Sequence, residues 1–200
     1  MNSALLVIDV QNIYTNPQSE MYCHNSKLTI KKINLLIESF SQLNEPIVYV
    51  KHVHNRNGND LGRMFDYAGP TNEFNFIEGS MVVEYDPNLK FIPGSYEVRK
   101  NRYSSFTNTQ LDKFLKEKKI DKVVICGFMT SFCCESTARD AHGLDYYVDF
   151  VIDATGTPSL SDKLSQTEIR AIVSEFLNAG FANVCKTKEF LSNQLYASII

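Results

Sequence analysis

A cysteine stands where a strand pattern gives way to a helical one, within residues 127–141. The apolar run of residues 123–126 predicts a short buried strand that Gly127 ends, and helical spacing begins near Ser131. Cys133 then lies in the first turn of a helix, where free backbone N–H groups and the helix dipole favour an anion. A thiolate is such an anion, and it is the reactive form of cysteine. The pattern therefore predicts chemistry at Cys133.

Two charged residues elsewhere in the chain could assist this nucleophile. Asp9 follows the apolar run of residues 4–8, and Lys100 lies in the polar stretch of residues 99–109. A carboxylate can take the thiol proton, and a nearby cation lowers a thiol pKa from its usual value of about 8.5. Taken singly, each has a simpler interpretation: Asp9 as a helix cap or loop ligand, Lys100 as a solvated charge and Cys133 as a core thiol.

Taken together, the segments 6–12, 99–109 and 127–141 resemble the isochorismatase-like cysteine hydrolases in their order and spacing. The resemblance covers about residues 4–190, and we treat residues 1–200 as one domain. It implies a three-layer α/β/α sandwich with a mostly parallel, Rossmann-like sheet, and a catalytic set of Asp9, Lys100 and Cys133. It also implies a cis peptide bond just before Met129 and an oxyanion hole from the backbone N–H groups of Met129 and Cys133.

The cysteine favours the amide-hydrolysing branch of this family, because isochorismatase itself lacks it and cleaves a vinyl ether. The thiolate would attack an amide carbonyl, and Asp9 would protonate the leaving amine and then activate the water that hydrolyses the thioester. Residues 100–104 and 135–141 are most similar to metal-independent amidohydrolases of ureido and carbamoyl compounds, such as ureidoacrylate amidohydrolase. We therefore expect a small-molecule amide or ureido substrate, and the resemblance also implies a homo-oligomer, a dimer or tetramer.

A metal site is the main alternative feature to consider. Nicotinamidases of this family carry one that opens with Asp-x-His, and the matching residues here are His52 and His54. Residues i and i+2 of an extended segment share a face, so the two imidazoles could share an ion. Two ligands do not make a tight site, and His24 and His142 do not fall where further ligands should come. We expect no metal and no other cofactor; a nicotinamidase-like amidase stays open as an alternative.

Specificity should come from residues 12–25 and 55–97. We predict Tyr14, His54 and Tyr103 as substrate-binding residues. Two other classes also stay open: a catalytically idle member that binds a small ligand, and a redox-responsive protein using Cys133 and Cys134. The intact catalytic set argues against the first, and the strain of a disulfide between adjacent cysteines argues against the second.

Composition excludes several function classes. The 200 residues are 44% hydrophobic, enough for a single sizeable core. A formal net charge of −3 gives no basic footprint, so nucleic acid and anionic membranes are poor candidate partners. The apolar runs fall short of the roughly 20 residues that span a bilayer. No basic region precedes the first apolar stretch, so we expect no signal peptide and a cytoplasmic location.

The five cysteines do not form a recognisable framework. Their odd number and the absence of a CxxC pair argue against a disulfide scaffold and a structural zinc site. We expect Cys126, Cys134 and Cys185 to be small core residues.

Alternating strand and helix patterns predict an α/β fold with a mostly parallel sheet. Ligands of such folds bind beyond the carboxyl ends of the strands, the edge to which Asp9 and Cys133 map. The predicted strands cover residues 4–10, 47–50, 122–126, 146–152 and 181–185, and residues 55–97 are irregular. Helices are predicted over 30–43, after a capping box at 107–110, from about 131, and over 169–177. The last helix is expected to end at Gly180 as a left-handed cap and to bury Ile169, Ile172, Val173, Phe176 and Leu177.

Overall fold

The computed structural model describes residues 1–69, 71, 73–159, 161 and 163–197. Its strands are β1 (Ser3–Ile8), β2 (Ile47–His52), β3 (Tyr96–Lys100), β4 (Lys122–Phe128), β5 (Tyr147–Gly156) and β6 (Asn183–Cys185). They form one sheet in the order β3-β2-β1-β4-β5-β6, and every neighbouring pair is parallel. The predicted parallel sheet is confirmed.

Helices cover both faces of the sheet. They are α1 (Asn12–Thr15), α2 (Ser26–Gln42), α3 (Leu111–Glu117), α4 (Glu135–Gly143), α5 (Gln166–Asn178) and α6 (Thr187–Ala197). The apolar residues of α1, α2 and α6 pack in one core cluster, and those of α3, α4 and α5 pack in a second cluster across the sheet. This gives the three-layer α/β/α sandwich that the resemblance implied.

The central strand β1 shows why its sequence is continuously apolar. Leu5 and Val7 face one core cluster, while Leu6 and Ile8 face the other. A strand that is buried on both faces has no solvent side on which to place polar residues. Polar chemistry can therefore enter only where the strand ends, at Asp9.

Several predicted elements differ from the structure. Gly127 lies inside β4 rather than ending it. Helix α3 starts at Leu111 with Gln110 as its N-cap, so residue 107 does not cap it. Instead the Thr109 hydroxyl accepts a hydrogen bond from the Leu111 N–H and donates one to the Ser105 carbonyl. The short polar side chains of this segment thus stabilise a loop before the helix.

The sequence also predicted too many buried residues on α5. Ile169, Val173 and Leu177 are buried, but Ile172 and Phe176 are exposed. The helix ends at Asn178, and its cap residue Ala179 is right-handed. Gly180 is not in the left-handed region.

Helix α1, strand β3 and helix α6 were not predicted from the sequence. Strand β3 is an edge strand in which only Val98 and Lys100 are buried, so it lacks an apolar run. Helix α6 follows β6 and completes the layer beside α2. Among the described residues, no helix is both long enough and apolar enough to cross a membrane.

Candidate active site

Four strands bring polar side chains to one edge of the sheet. Asp9 directly follows β1, His52 ends β2 and Lys100 ends β3. Cys133 lies in a π-helical turn, Thr130–Cys134, that follows β4. Because the strands are parallel, their carboxyl ends meet at this edge, as the sequence predicted for Asp9 and Cys133.

The predicted catalytic residues form one buried cluster. The Lys100 Nζ lies 2.8 Å from Asp9 Oδ2 and 3.2 Å from Cys133 Sγ. It also donates a hydrogen bond to the Arg102 carbonyl at 3.0 Å. All three side chains are buried, with residue exposures of 2% or less. A buried ammonium is stabilised only by such partners, so the cluster acts as one electrostatic unit.

The pKa values of the three groups depend on one another. Burial raises the pKa of Asp9 above its usual 3.8, and the Lys100 ammonium opposes this only in part. Burial lowers the pKa of Lys100, but the negative charge of Asp9, and that of Cys133 when it is a thiolate, outweigh burial and leave that pKa raised. Burial raises the pKa of Cys133 to about 12, although Lys100 lowers it as expected. Burial therefore favours a protonated Cys133 thiol, which lies 3.2 Å from the Lys100 Nζ that also contacts Asp9 at 2.8 Å.

Backbone geometry places Asp9 at this point. Asp9 has a φ of 49°, in the left-handed region that non-glycine residues rarely adopt. Its N–H donates to the Val50 carbonyl of the neighbouring strand at 3.0 Å. Gly127 lies alongside with a φ of 124°, and a Cβ there would come within 1.9 Å of the Ile8 carbonyl oxygen. Only glycine lets β4 approach β1 this closely, beside the residue that precedes Asp9.

The cysteine turn is tied to the segment that follows Lys100. The Thr137 hydroxyl donates to the Cys133 carbonyl at 2.7 Å and accepts from the Ser105 N–H at 3.0 Å. Both Thr137 and Ser105 are fully buried. The peptide bond before Met129 is cis, as the resemblance implied. The first turn after β4 is π-helical rather than α-helical, a geometry frequent at functional sites.

Gln11 is a positioning residue that the sequence analysis missed. Its side chain is fully buried and donates to the carbonyls of His52 at 3.0 Å and Val83 at 2.7 Å. Its Oε1 accepts from the His52 N–H at 3.0 Å. These bonds hold the end of β2 against the Asp9 loop. A residue with both donor and acceptor, three positions after a buried strand, is the signal that could have pointed to it.

A cavity of about 600 Å³ opens onto Cys133. Its lining comes from the segments 12–25 and 55–97, from His52 at the end of β2, and from the turns around Tyr103 and Cys133. The lining residues are Tyr14, Met21, His52, Arg63, Met64, Phe65, Tyr67, Asn75, Phe76, Tyr103, Met129, Phe132 and Cys133. Tyr14 and Tyr103 thus reach the cavity, as does Met129 of the expected oxyanion hole.

His54, in contrast, does not line the cavity. It is fully buried, and its Nε2 lies 3.0 Å from the Nε2 of His52. His52 comes between His54 and the cavity, where its ring stacks on Phe76 with centroids 4.2 Å apart. The two histidines, at the end of β2 and two residues beyond it, contact each other, but only His52 reaches the cavity.

Comparison with known proteins agrees with this architecture. The isochorismatase domain family matches residues 3–189. A cysteine hydrolase from Pseudomonas syringae pv. phaseolicola 1448A has the same fold at a TM-score of 0.87; the two are 26% identical over 96% of this chain and 91% of that one.

The chain belongs to the isochorismatase family.

Relatives within the family differ in their named activities. An Arabidopsis thaliana protein named "Probable inactive nicotinamidase" is 31% identical over 172 residues, covering 80% of this chain and 84% of that protein. A ureidoacrylate amidohydrolase, RutB, of Azorhizobium caulinodans is 26% identical over 178 residues, covering 76% and 75%. Membership makes this isochorismatase-family protein a hydrolase by homology and leaves the substrate open.

The donor atoms of this isochorismatase-family chain do not fit a resident metal. Asp9, His52 and Cys133 offer ligand atoms within 4.8 Å of one another, but the Lys100 ammonium already lies against Asp9 and Cys133. A cation placed among them would be repelled by that charge. Of the residues that the structure describes, no group of three possible ligands includes His54. The two imidazoles instead bond to each other.

Proposed function

We propose that this protein hydrolyses a C–N bond of a small amide or ureido compound through a thioester on Cys133. The observation that carries the proposal is the buried cluster in which Lys100 Nζ lies 2.8 Å from Asp9 Oδ2 and 3.2 Å from Cys133 Sγ, at the wall of a cavity of about 600 Å³. A nucleophile, a base and a cation in contact are what covalent acyl transfer needs.

Acylation begins with a proton transfer. Asp9 accepts the thiol proton of Cys133 as Sγ attacks the carbonyl carbon, and Lys100 stabilises the developing negative charge. The backbone N–H groups of Met129 and Cys133 form the proposed oxyanion hole. The C–N bond then breaks, and protonated Asp9 returns its proton to the leaving nitrogen. The raised pKa of Asp9 suits a group that must both take and give a proton.

Deacylation reverses the roles. Asp9 takes a proton from a water molecule, whose oxygen attacks the thioester carbonyl. The C–S bond breaks and releases the carboxylic acid, or a carbamic acid when the substrate is a ureido compound. Protonated Asp9 then returns its proton to the Cys133 thiolate. Lys100 stays charged throughout, since its pKa is raised by Asp9 and Cys133 against the effect of burial.

Two substrate classes are supported by different observations. The ureidoacrylate relative and the motif runs favour a ureido compound. The cavity wall favours an amide of an aromatic acid, as in a nicotinamidase-like amidase, because Tyr14, Phe65 and Phe76 contribute aromatic surface to it. Arg63 and Asn75 are among its few polar residues.

A panel of small primary amides and ureas, including nicotinamide and ureidoacrylate, tests the proposal by ammonia release. Trapping with hydroxylamine would convert the thioester to a hydroxamate. The matched control is Cys133→Ala, which should release no ammonia from any compound. The proposal fails if the Cys133→Ala variant retains activity. It also fails if no amide or urea is cleaved, and that outcome would favour the alternative of a catalytically idle protein that binds a small ligand.

A further inference from the structure

His52 has a feature that the proposed reaction does not yet use. Its side chain is buried, borders the cavity and lies with one ring nitrogen within 4.8 Å of an Asp9 oxygen and of Cys133 Sγ. Its Nε2 is engaged with His54 at 3.0 Å. Its Nδ1 is buried and has no hydrogen-bond partner among the described residues. A buried polar atom without a partner is costly unless a ligand completes it.

The proton positions in the histidine pair follow from the residue behind it. Asp60 Oδ1 lies 3.5 Å from His54 Nδ1, a charge contact without hydrogen-bond geometry, so it acts on that nitrogen through its electrostatic field. Burial alone would raise the pKa of Asp60, but hydrogen bonds from the Asn55 N–H and the Asn101 side chain leave it lowered, so this group is a carboxylate. Burial lowers the pKa values of both His52 and His54, so both rings are neutral.

A carboxylate beside His54 Nδ1 favours the tautomer with hydrogen on that nitrogen, since a lone pair there would face a negative charge. His54 Nε2 is then a lone pair, so His52 Nε2 must carry the hydrogen between the two rings. A neutral imidazole has only one N–H. The chain Asp60–His54–His52 therefore leaves Nδ1 of His52, a residue that lines the cavity, as a hydrogen-bond acceptor without a partner among the described residues.

We propose that His52 binds the scissile group, with its Nδ1 accepting a hydrogen bond from the N–H of the substrate's leaving nitrogen. This rests on the proposed C–N hydrolysis. It defines the substrate more closely: the nitrogen of the cleaved bond carries at least one hydrogen, as in a primary amide or a ureido group. An ester with the same acyl group offers no such donor and leaves Nδ1 unpaired.

The test compares two substrates in the full chain. The fastest-cleaved primary amide of the panel and the methyl ester of the same acid are measured with wild type, His52→Phe and His52→Asn. His52→Phe keeps an aromatic ring on Phe76 but removes the acceptor; we expect kcat/KM for the amide to fall about 10- to 100-fold and that for the ester less than about threefold. His52→Asn, which can present an acceptor near the Nδ1 position, should recover most of the amide activity.

Three controls separate the possible failures. His142→Phe alters an exposed histidine on α4 and should leave kcat/KM unchanged for both substrates. Asp60→Asn removes the charge that sets the tautomers, so it should lower the ratio of amide to ester activity. Asp60 does not line the cavity, so this variant leaves the cavity wall unchanged. It replaces His52→Phe in the test if His52→Phe does not fold. Thermal unfolding and the rate of Cys133 alkylation report on folding and on the nucleophile.

The inference is overturned if His52→Phe lowers kcat/KM equally for the amide and the ester, or changes kcat/KM for neither of them, while wild type cleaves the amide. It is also overturned if His52→Asn is as impaired on the amide as His52→Phe. If wild type cleaves no amide at all, the proposed function itself is what fails.

Discussion

At the scale of single residues, the position of one proton decides how this site works. Lys100 touches both Asp9 and Cys133, yet burial leaves the thiol with a pKa of about 12. In the proposed mechanism the thiolate forms only when Asp9 accepts the proton, so the base would be as essential as the nucleophile. The motifs pointed to these three residues, but how strongly burial opposes the thiolate depends on the packing around them.

The nucleophile can be distinguished from its neighbour. Both cysteines belong to the core cluster that holds α4 and α5, but Cys133 borders the cavity, whereas Cys134 is fully buried and does not line it. Cys133→Ala should lower kcat by at least about 1,000-fold with the fold intact. Cys134→Ala is the matched control and should cost about 1 kcal/mol of stability while keeping most activity. Steady-state kinetics with thermal unfolding decide it, and equal losses in the two variants would contradict the assignment.

The base has its own test. Asp9→Asn keeps the shape of the side chain but cannot accept a proton, so we expect kcat to fall at least about 100-fold. In wild type, the acidic limb of kcat/KM should follow Asp9 with a pKa above the ordinary 3.8, because burial raises it. Asp112→Asn, at an exposed ion pair with Lys116, serves as the control. Near-normal turnover in Asp9→Asn would rule this role out.

The cation is tested by alkylation rather than by turnover. Lys100→Met keeps the aliphatic stem but removes the charge that lowers the pKa of Cys133. Iodoacetamide labelling of Cys133 should then require a higher pH, by about one unit or more. Lys122→Met, in an ion pair with Asp149 at the start of β4, should leave the labelling profile unchanged. An unshifted profile in Lys100→Met would mean that Lys100 does not activate the thiol.

At the scale of elements, the strands buried on both faces were predictable and the edge elements were not. β1 and β4 carry apolar runs because they lie inside the sheet. β3 pairs with β2 alone and alternates exposed and buried residues, so its sequence is polar and the strand was missed. The two exposed residues of α5, Ile172 and Phe176, fit a helical period equally well as an inward face. Periodicity identifies the apolar side of a helix, but the packing of the neighbouring layer decides how many residues of that side are buried.

One side chain joins three elements, and it was not predicted. Asp153 in β5 forms an ion pair with Lys32 of α2 at 2.9 Å and accepts hydrogen bonds from the N–H and hydroxyl of Thr187 at the start of α6. Burial alone would raise the pKa of Asp153, but Lys32 and Thr187 leave it lowered. The ionised carboxylate therefore stabilises the folded state above about pH 4, and this is lost as pH falls through the lowered pKa.

Asp153→Asn should accordingly lower the free energy of unfolding by about 1 to 2 kcal/mol at pH 7. The difference from wild type should shrink as the pH drops below the ordinary carboxyl pKa of 3.8. Denaturant unfolding at pH 7 and pH 3 measures both values. Asp140→Asn, which changes a carboxylate on α4, is the matched control and should leave the free energy of unfolding at pH 7 within about 0.5 kcal/mol of wild type. A difference between wild type and Asp153→Asn that stays constant with pH would contradict the linkage.

At the scale of the whole molecule, the site exists because parallel strands deliver residues far apart in sequence to one edge. Asp9, His52, Lys100 and Cys133 follow or end four different strands. The spacing motifs located three of them, but the role of His52 depends on Asp60, which comes from the irregular region. The homo-oligomer that the resemblance implies stays a prediction, which light scattering with size-exclusion chromatography can check.

The whole protein should also work without a metal. The Lys100 ammonium already balances the negative charge of the site through its contact with Asp9. The Nε2 atoms of His52 and His54 lie 3.0 Å apart as a hydrogen-bonded pair. A tight zinc site takes four ligands, three of them from the protein in catalytic sites, and the paired histidines supply two at most. We expect elemental analysis to find no stoichiometric zinc, iron or manganese, and EDTA to leave amide hydrolysis unchanged. One transition metal per chain, with activity lost on chelation and restored by the metal, would overturn this and favour the nicotinamidase-like alternative.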